Sequence, residues 1–573
     1  MIKLVRLISL MSVLLLSGTQ LASSREWDLS NSPSLGNDLP YRWVYVSRKL
    51  QKDSDVRDIT RIVRTASEHG LNGMVLAAGL DRLDLQRADY FKRLEQVKQV
   101  CSRYDIEIIP AIFNAGYGSS VLAYDRNLAA GIAVKDALFV VGGRTARLIE
   151  DPAVEIVNGG FEQHVGDRLE GYRFHDKPGQ VSFVDKRVYK SGRASLRFEN
   201  FGKHEHGHAR LMQEVKVQPH RCYRVSCSVR TEQLEPSGSL RIMVLSADGR
   251  SLAPWNPQVP STTRWQKVSM GFNSLSYDKV RVYVGVWGGK SGRFWVDDFK
   301  IEEVALLNVL RRPGAPITVK DEATGRIYEE GRDFIQIVDY RLKFRFDHGP
   351  IPVRLAPGTR IKDGQRLRVS YYHGMAVNKG QVTLCMSEPK LYEIWRKQAR
   401  LLHRHLAPKK YMLSMDEIRA GGACHACKSR NMSMAQILGD CITRQVDLIR
   451  DVNPAAEILI WSDMLDPNHN ARGNYFLVDG DFTGSWTYVP KDLVIVCWYY
   501  AKRNESLKFF SSLGFRTVAG AYYDGDTLDN PKGWLRSLQQ TPKASGIMYT
   551  TWRNKYELLA PFGDLVTGRE NFK

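Results

Sequence analysis

The sequence predicts an α/β protein built on a (β/α)8 TIM barrel, which an inserted β-sandwich (a jelly roll) and a second small β segment interrupt after strand three. Strand and helix patterns alternate in residues 41–150 and again in residues 386–573. Between them, residues 152–304 consist of short runs of alternating polarity with glycine-rich turns and almost no helical period. Three strands before the interruption and five after it make the eight that close a barrel.

Residues 1–23 have the composition of a secretory signal peptide. Lys3 and Arg6 precede an apolar segment from Leu7 to Leu16, and small residues follow it. The apolar segment is too short to span a membrane, and no later segment is long and apolar enough to do so. We therefore expect a soluble exported protein, secreted or periplasmic.

The first part of the barrel contains three strand patterns and two helix patterns. Arg42–Val46, Met74–Ala77 and Ile106–Ile112 are apolar runs of strand length. After the first run, Ser54 can cap a helix whose apolar residues, three and four positions apart, fall on one face. A second helical stripe separates the second and third runs, so the segment indicates a parallel βα repeat.

Residues 152–304 predict the sandwich, and residues 305–385 predict a further strand-rich, basic segment. The sandwich segment opens with Asn158-Gly159-Gly160-Phe161-Glu162 and closes with Trp295-Val296-Asp297-Asp298. Apolar residues between these ends recur with a period of two, which is typical of strands that bury one face.

Five apolar runs in residues 386–573 are predicted to be barrel strands, and each ends in aromatic or polar residues. They are Tyr411–Glu417, Ile458–Asp463, Leu493–Tyr500, Thr517–Asp524 and Gly546–Trp552. The helix after the first run begins at a capping box formed by Ser433 and Gln436. Barrel enzymes react at the carboxyl ends of their strands. Tryptophan, tyrosine and carboxylate at successive strand ends therefore predict a sugar-binding pocket.

The net charge is +20, from 82 lysines and arginines against 62 aspartates and glutamates. A positive field of this kind attracts acidic glycans, cell-wall polymers or nucleic acid. Solvated cationic faces of the strands explain the charge as well, and no nucleic-acid-binding motif accompanies it. We therefore predict no nucleic-acid partner.

The eight cysteines do not form the dense framework of a small disulfide-rich protein. The motif Cys424-His425-Ala426-Cys427 has two interpretations. It is a local disulfide or a pair of free thiols in a loop, or it is half of a zinc site that Cys441 or a distant histidine completes.

Four predicted strand ends match a known family of barrel enzymes. The matching residues are Asp416-Glu417 at the fourth strand, Trp461 at the fifth, Tyr522-Tyr523-Asp524 at the seventh and Trp552-Arg553-Asn554 at the eighth. In this order the barrel resembles the catalytic barrel of family 20 glycoside hydrolases, the β-N-acetylhexosaminidases.

The resemblance covers residues 41–115 and 390–560 and departs from the family in three places. Tyr-Met-Leu-Ser-Met precedes the acid pair where the family has His-x-Gly-Gly. Asn554 stands where the family has a glutamate that grips a sugar hydroxyl, and the family's strand-one arginine is matched only loosely, by Arg48. These departures leave the identity of the sugar open.

The resemblance implies an exo-acting enzyme that cleaves β-linked N-acetylhexosamines with the substrate's own acetamido group as nucleophile and without a cofactor. Glu417 would donate a proton to the glycosidic oxygen, Asp416 would orient the acetamido group and Tyr522 would bind its carbonyl oxygen. Glu417 must then keep its proton near neutral pH, which a partly apolar pocket favours. The other residues predicted to bind substrate are Arg48, Trp461, Asp463, Trp498, Tyr523, Asp524, Trp552 and Asn554.

The same residues allow other interpretations. The acid pair can cap the next helix or form an ion pair with Arg419, and the tryptophans can belong to the barrel core. An alternative enzyme is a retaining glycosidase with Asp463 or Asp524 as its nucleophile. A non-enzymatic alternative is a glycan-binding protein on a degenerate barrel. His469 is expected in a surface loop rather than at the barrel mouth.

The inserted sandwich resembles carbohydrate-binding modules of families 4, 9 and 22. The resemblance rests on the Asn-Gly-Gly-Phe-Glu opening, on Ser191-Gly192-Arg193-Ala194-Ser195-Leu196 and on the closing Trp-Val-Asp-Asp. It implies a structural Ca²⁺ held by Glu162, Asp298 and backbone carbonyl oxygens. The expected partner of the whole protein is an oligosaccharide or polysaccharide, and no oligomeric state is predicted.

Overall fold

A computed structural model describes residues 39–378 and 380–569. The predicted signal peptide, residues 1–23, lies outside this part of the chain. None of the helices in the described part combines the length and the apolar character that crossing a membrane requires.

Eight parallel strands form a closed barrel, in which β1 pairs with both β2 and β8. The strands are β1 Tyr41–Ser47, β2 Gly73–Ala77, β3 Glu107–Ile112, β4 Lys410–Leu413, β5 Glu457–Trp461, β6 Val494–Cys497, β7 Arg516–Tyr522 and β8 Ala544–Thr550. Each predicted apolar run supplies one of them. The prediction of a barrel accompanied by further β sheets is confirmed.

Nine helices occur in the described part of the chain, and the longer ones surround the barrel. They are α1 Asp53–Glu68, α2 Ala88–Arg103, α3 Ser119–Leu122, α4 Pro389–Leu406, α5 His425–Lys428, α6 Met434–Arg450, α7 Arg503–Ser512, α8 Asp529–Gln539 and α9 Leu559–Thr567. The capping box at the start of α6 is confirmed, because Ser433 Oγ accepts the Gln436 N–H at 3.2 Å. The prediction that Ser54 caps α1 is wrong, because Lys52 is the extended residue before that helix.

The interior of the barrel is filled by side chains from alternate strand positions. Trp43, Val75, Met412, Leu459 and Trp461 are all buried there. Gly73 is required beside Trp43, because a Cβ at this position would lie 2.5 Å from the indole Cδ1. A packed interior places ligand binding at the barrel mouth rather than inside it.

Two five-stranded sheets form a sandwich. In order across the first sheet, the strands are Thr263–Asn273, Cys222–Glu235, Ser291–Val304, Ser195–Phe198 and Ser182–Asp185. In the second sheet they are Ser251–Trp255, Leu240–Ser246, Lys279–Val286, Ala209–Lys216 and Phe174–His175. Apolar side chains of both sheets share one buried core, which is the packing expected of a sandwich.

A six-stranded sheet connects the sandwich and the barrel segments. Its order is Ile327–Tyr328, Thr318–Asp321, Arg366–His373, Ile132–Gly142, Thr145–Leu148 and Val353–Arg354. The range 41–150, predicted as the first part of the barrel, therefore ends in two strands of another sheet. The strand Ile132–Gly142 buries most of its apolar residues and pairs with Arg366–His373 from the segment predicted as 305–385.

Candidate active site

The acid pair lies at the carboxyl end of the barrel, where the residues that follow three neighbouring strands meet. Asp416 and Glu417 follow β4, and the Glu417 N–H donates to Oδ2 of Asp463, which follows β5, at 2.9 Å. Asn114, which follows β3, donates from Nδ2 to Asp416 Oδ1 at 3.3 Å. The structure therefore brings the two carboxylates of the pair and Asp463 together at the barrel mouth.

The backbone of the acid pair is held tightly from the β3 side. Glu417 has a positive φ of 51°, and a Cβ at Gly116 would overlap the Asp416 carbonyl oxygen. The Gln381 side-chain amide donates to the carbonyl oxygens of Gly116 at 2.9 Å and of Glu417 at 2.6 Å. These contacts fix the direction in which both carboxylates point.

The Glu417 carboxylate forms an ion pair with one neighbouring side chain and a hydrogen bond with another. Oε1 forms an ion pair with Arg419 Nη2 at 2.7 Å, and Oε2 accepts a hydrogen bond from the Tyr117 hydroxyl. Arg419 is buried, bonds to Gln381 and lies over the Phe476 ring. The ion pair with Arg419 that the sequence allowed is therefore formed, and Glu417 must leave or share it before it can donate a proton.

Burial changes the proton affinity of the other two carboxyl groups. It raises the pKa of Asp416 well above the usual range, and the negative charges of Asp463 and Glu417 raise it further. Burial also raises the pKa of Asp463 to about 6. The Asp463 oxygens accept hydrogen bonds from Asn470 Nδ2 at 2.9 Å and from Trp498 Nε1 at 3.4 Å. Asp463 is thus an acceptor that orients the surrounding loops.

Aromatic rings surround the carboxylates and form what we call the aromatic wall. Its members are Tyr45, Trp461, Trp498, Tyr523 and Trp552. Trp498 and Tyr523 are stacked with an interplanar angle of 8°, and Trp552 contacts Tyr45 at a centroid distance of 5.3 Å. Tyr523 and Trp552 are 41% and 44% exposed, which is high for rings of this size. Partly exposed aromatic faces beside carboxylates suit the apolar faces and the hydroxyls of a sugar.

The structure does not bring Tyr522, predicted to be catalytic, to this group. Its ring is buried and stacks on Tyr549 at a centroid distance of 4.1 Å, in the layer between strands and helices. The neighbouring Tyr523 lies in the aromatic wall instead, and the charges of Asp416, Glu417 and Asp463 contribute to the raised pKa of its hydroxyl, about 12, after burial. Of these two neighbouring tyrosines, Tyr523 is therefore the one at the mouth.

Three of the predicted substrate-binding residues form the rim. Asp524 accepts hydrogen bonds from the Thr551 hydroxyl and from the Trp552 N–H, so its carboxylate organises the loop after β8. Arg48 donates to the Asn554 side chain and also pairs with Asp58. Arg48 and Asn554 therefore meet each other at the rim.

Several residues at the mouth were not predicted. His469 was expected in a surface loop, but it stacks on Tyr499 and contacts Trp498, with centroid distances of 4.6 and 4.5 Å. Burial lowers the pKa of His469 to about 4, so its ring is neutral at physiological pH. Asn114 and Tyr117 directly follow β3, and the rule that selected the ends of later strands would have found them. No local sequence pattern indicates that Gln381 lies at the barrel mouth.

In the sandwich, Glu162 and Asp298 contact the same loop. Glu162 Oε1 accepts the Arg193 N–H at 2.7 Å, and Asp298 Oδ1 accepts the Ser191 hydroxyl at 2.6 Å. A Cβ at Gly192, between these two contacts, would overlap Glu162 Oε1. Carboxylates from both ends of the sandwich segment thus contact one tight loop, and the Ca²⁺ expected between them stays a prediction.

No protein-family model matches the chain, and no curated protein matches it either. Similar solved structures include a chitobiase from Flavobacterium johnsoniae, with 8% identity over 93% of this chain and 48% of that chain and a TM-score of 0.36. A rhamnosidase from Novosphingobium sp. PP1Y has 10% identity over 91% of this chain and 57% of that chain, with a TM-score of 0.33.

The carbohydrate-binding module TmCBM61, solved in complex with β-1,4-galactotriose, has 19% identity over 26% of this chain and 96% of that chain, with a TM-score of 0.21. At these TM-scores the similarities assign neither a family nor a function to this chain. Membership of family 20 stays a prediction.

Proposed function

We propose that this protein is a glycoside hydrolase that binds its substrate at the barrel mouth. One observation supports this most strongly: the acid pair Asp416 and Glu417 meets Asp463 inside a partly exposed aromatic wall at the carboxyl ends of the strands. Carboxyl groups supply the proton transfers of glycoside cleavage, and aromatic rings bind sugar faces.

The reaction we propose is exo-cleavage of a β-linked N-acetylhexosamine. The acetamido carbonyl oxygen attacks the anomeric carbon while the bond to the leaving oxygen breaks and Glu417 gives that oxygen its proton. Water then attacks the anomeric carbon of the cyclised intermediate, the bond from that carbon to the acetamido oxygen breaks, and Glu417 takes a proton from the water. The sugar leaves with its original anomeric configuration.

Asp416 would accept a hydrogen bond from the acetamido N–H and so strengthen the carbonyl oxygen as a nucleophile. This role requires an ionised carboxylate, and burial and neighbouring charges raise the pKa of Asp416. A protonated Asp416 would offer the acetamido N–H only its carbonyl oxygen, a weaker acceptor that activates the nucleophile less. The role that the family assigns to Tyr522, binding of the acetamido carbonyl, falls to Tyr523 in this geometry.

The hydrogen bonds of the other carboxylates support a nucleophile that comes from the substrate. Asp463 accepts from the Glu417 N–H and from Asn470, and Asp524 accepts from Thr551 and from the Trp552 N–H. These hydrogen bonds give both carboxylates a role in ordering the loops at the mouth, which substrate-assisted cleavage leaves undisturbed. The retaining alternative with a protein nucleophile is therefore the weaker proposal.

A second candidate function is glycan binding without cleavage. The ion pair between Arg419 and Glu417 favours it, because the buried arginine occupies the carboxylate that would have to reach a glycosidic oxygen. In this candidate the aromatic wall alone accounts for recognition, and Glu417 only orders the mouth.

The experiment that tests these proposals compares two aryl glycosides that differ only at the 2-position, one with an acetamido group and one with a hydroxyl. Substrate-assisted cleavage predicts turnover of the acetamido compound alone, and tight binding of a thiazoline that mimics the cyclised intermediate. Efficient cleavage of the plain hexoside, with a 2-fluoro sugar becoming attached to Asp463 or Asp524, would establish the protein nucleophile instead. Binding of both compounds without any turnover would favour the second candidate.

A further inference from the structure

Three cysteines form a compact cluster beside the loop of the acid pair. Cys385 precedes α4, and Cys424 and Cys427 flank the start of α5. The Sγ atom of Cys385 lies 3.5 Å from that of Cys424 and 3.7 Å from that of Cys427. The remaining pair, Cys424 and Cys427, is separated by 3.6 Å. All three side chains are buried free thiols.

These separations match a single tetrahedral metal ion. Zinc binds thiolates at about 2.3 Å, and the tetrahedral angle then places two sulfur ligands about 3.8 Å apart. All three observed distances lie within about 0.3 Å of this value. A disulfide requires a sulfur–sulfur distance of about 2.05 Å, and it would leave the third cysteine of a threefold cluster without a partner.

The surroundings are suited to hold thiolates. The rest of the cavity beside the cluster is lined by Ala130, Gly131, Leu384, Met386, Gly421, Gly422, Met434 and Ile437. On another side, the buried Arg312 places Nη2 3.6 Å from Cys424 Sγ and pairs through Nε with Glu388 at 2.7 Å. The N–H group that Arg312 directs at Cys424 Sγ is an outer-shell hydrogen bond of the kind that orients a metal-binding thiolate.

We propose that Cys385, Cys424 and Cys427 bind one Zn²⁺ ion. The sequence had suggested Cys441 or a histidine as the completing ligand, but the structure supplies Cys385. Among the described residues, no histidine, carboxylate or fourth cysteine joins the group. The three thiolates supply three coordination positions, and soft thiolate ligands select zinc over hard cations such as Ca²⁺.

The metal would fasten two segments that together hold the acid pair. Gln381, which binds the Glu417 carbonyl oxygen, lies four residues before Cys385. Arg419, which pairs with the Glu417 carboxylate, lies five residues before Cys424. A bond from each cysteine to one ion would hold these two segments in a fixed position relative to each other. The proposal of a metal site does not depend on whether the barrel cleaves a glycoside.

The test measures metal in the full chain, purified under reducing conditions and then reconstituted with zinc and dialysed. Elemental analysis should find about one zinc per chain, and replacement by Co²⁺ should give the absorption bands of a tetrahedral, thiolate-bound ion. Cys385→Ser should lose most of the metal. The matched control Cys441→Ser changes a buried cysteine outside the cluster and should keep it.

The wild-type measurement is decisive even if Cys385→Ser fails to fold. Wild-type protein that retains almost no zinc after reconstitution would overturn the proposal. So would an intact mass that shows two of the three cysteines joined as a disulfide under the same reducing conditions. Retention of zinc by Cys385→Ser at the wild-type level would place the metal elsewhere and would also overturn it.

Discussion

Replacing Asp463 by asparagine should remove a pH dependence from the stability of the fold. Asp463 is fully buried, and burial raises its pKa from 3.8 to about 6. Between these two values the folded protein holds a proton that the unfolded chain has released. The free energy of unfolding contributed by this group is therefore greatest below about pH 4, falls as pH rises and becomes constant above about pH 6.

The size of the effect follows from the shift. Each pKa unit corresponds to about 1.4 kcal/mol, so a shift of about two units costs the folded state roughly 3 kcal/mol above pH 6. The asparagine fits the site: its amide oxygen can replace Oδ2, which accepts the Glu417 N–H and Asn470. Its NH₂ group then faces only the long 3.4 Å contact with Trp498.

The assay is denaturant unfolding of wild type and Asp463→Asn at pH 4, 5, 6 and 7. Buried acids that do not interact with Asp463 contribute equally to both proteins. Asp416, whose pKa the Asp463 charge raises, shifts the difference in the same direction, so roughly 3 kcal/mol is the minimum expected. The variant should gain roughly 3 kcal/mol relative to wild type between pH 4 and pH 7. Asp89→Asn, an exposed change on α2, should leave the curves parallel. If the unfolding free energies of wild type and Asp463→Asn instead changed in parallel with pH, Asp463 would not have a raised pKa in the folded protein.

Three further predictions concern the aromatic wall, the two tyrosines and the sandwich. Trp552→Ala should raise KM about tenfold with a smaller change in kcat, because loss of one sugar-stacking face costs about 1.4 kcal/mol; an unchanged KM would remove Trp552 from binding. Tyr523→Phe should lower kcat in steady-state assays while Tyr522→Phe leaves it nearly unchanged, and the opposite order would restore Tyr522 to the site. Chelation should lower the Tm of wild type but not that of Asp298→Ala, because a cation bound only to the folded state stabilises it; equal melting of wild type with calcium and with chelator would exclude the site.

The barrel could be predicted because its signals are local. Apolar runs of strand length and helical stripes between them identified all eight strands, and the acid pair was found because it directly follows one of these runs. The six-stranded sheet was not predicted, because its strands Ile132–Gly142 and Arg366–His373 pair across more than two hundred positions of sequence. No local sequence pattern predicts a pairing between strands so far apart in the chain.

Strand alternation could not predict which of the two tyrosines, Tyr522 or Tyr523, lies at the barrel mouth. Tyr522, Tyr523 and Asp524 have φ values of 79°, 63° and 60°, so the backbone leaves the β conformation at this point. The rule that successive side chains face opposite sides then no longer applies. The same limit explains Cys385, whose contact with Cys424 spans 39 positions and is invisible in the CxxC motif alone.

The central claim, that Glu417 is the acid of a glycoside hydrolase, is tested most directly by single-turnover hydrolysis with Glu417→Gln. Glutamine keeps the shape of the side chain and its contacts with Tyr117 and Arg419 in part, but it has no proton to transfer. Wild type should cleave an aryl β-N-acetylhexosaminide, and the variant should do so at least about a hundredfold more slowly. Glu505→Gln, an exposed change on α7, serves as the matched control and should retain the wild-type rate. Hydrolysis by a folded Glu417→Gln protein at the wild-type rate would contradict the account.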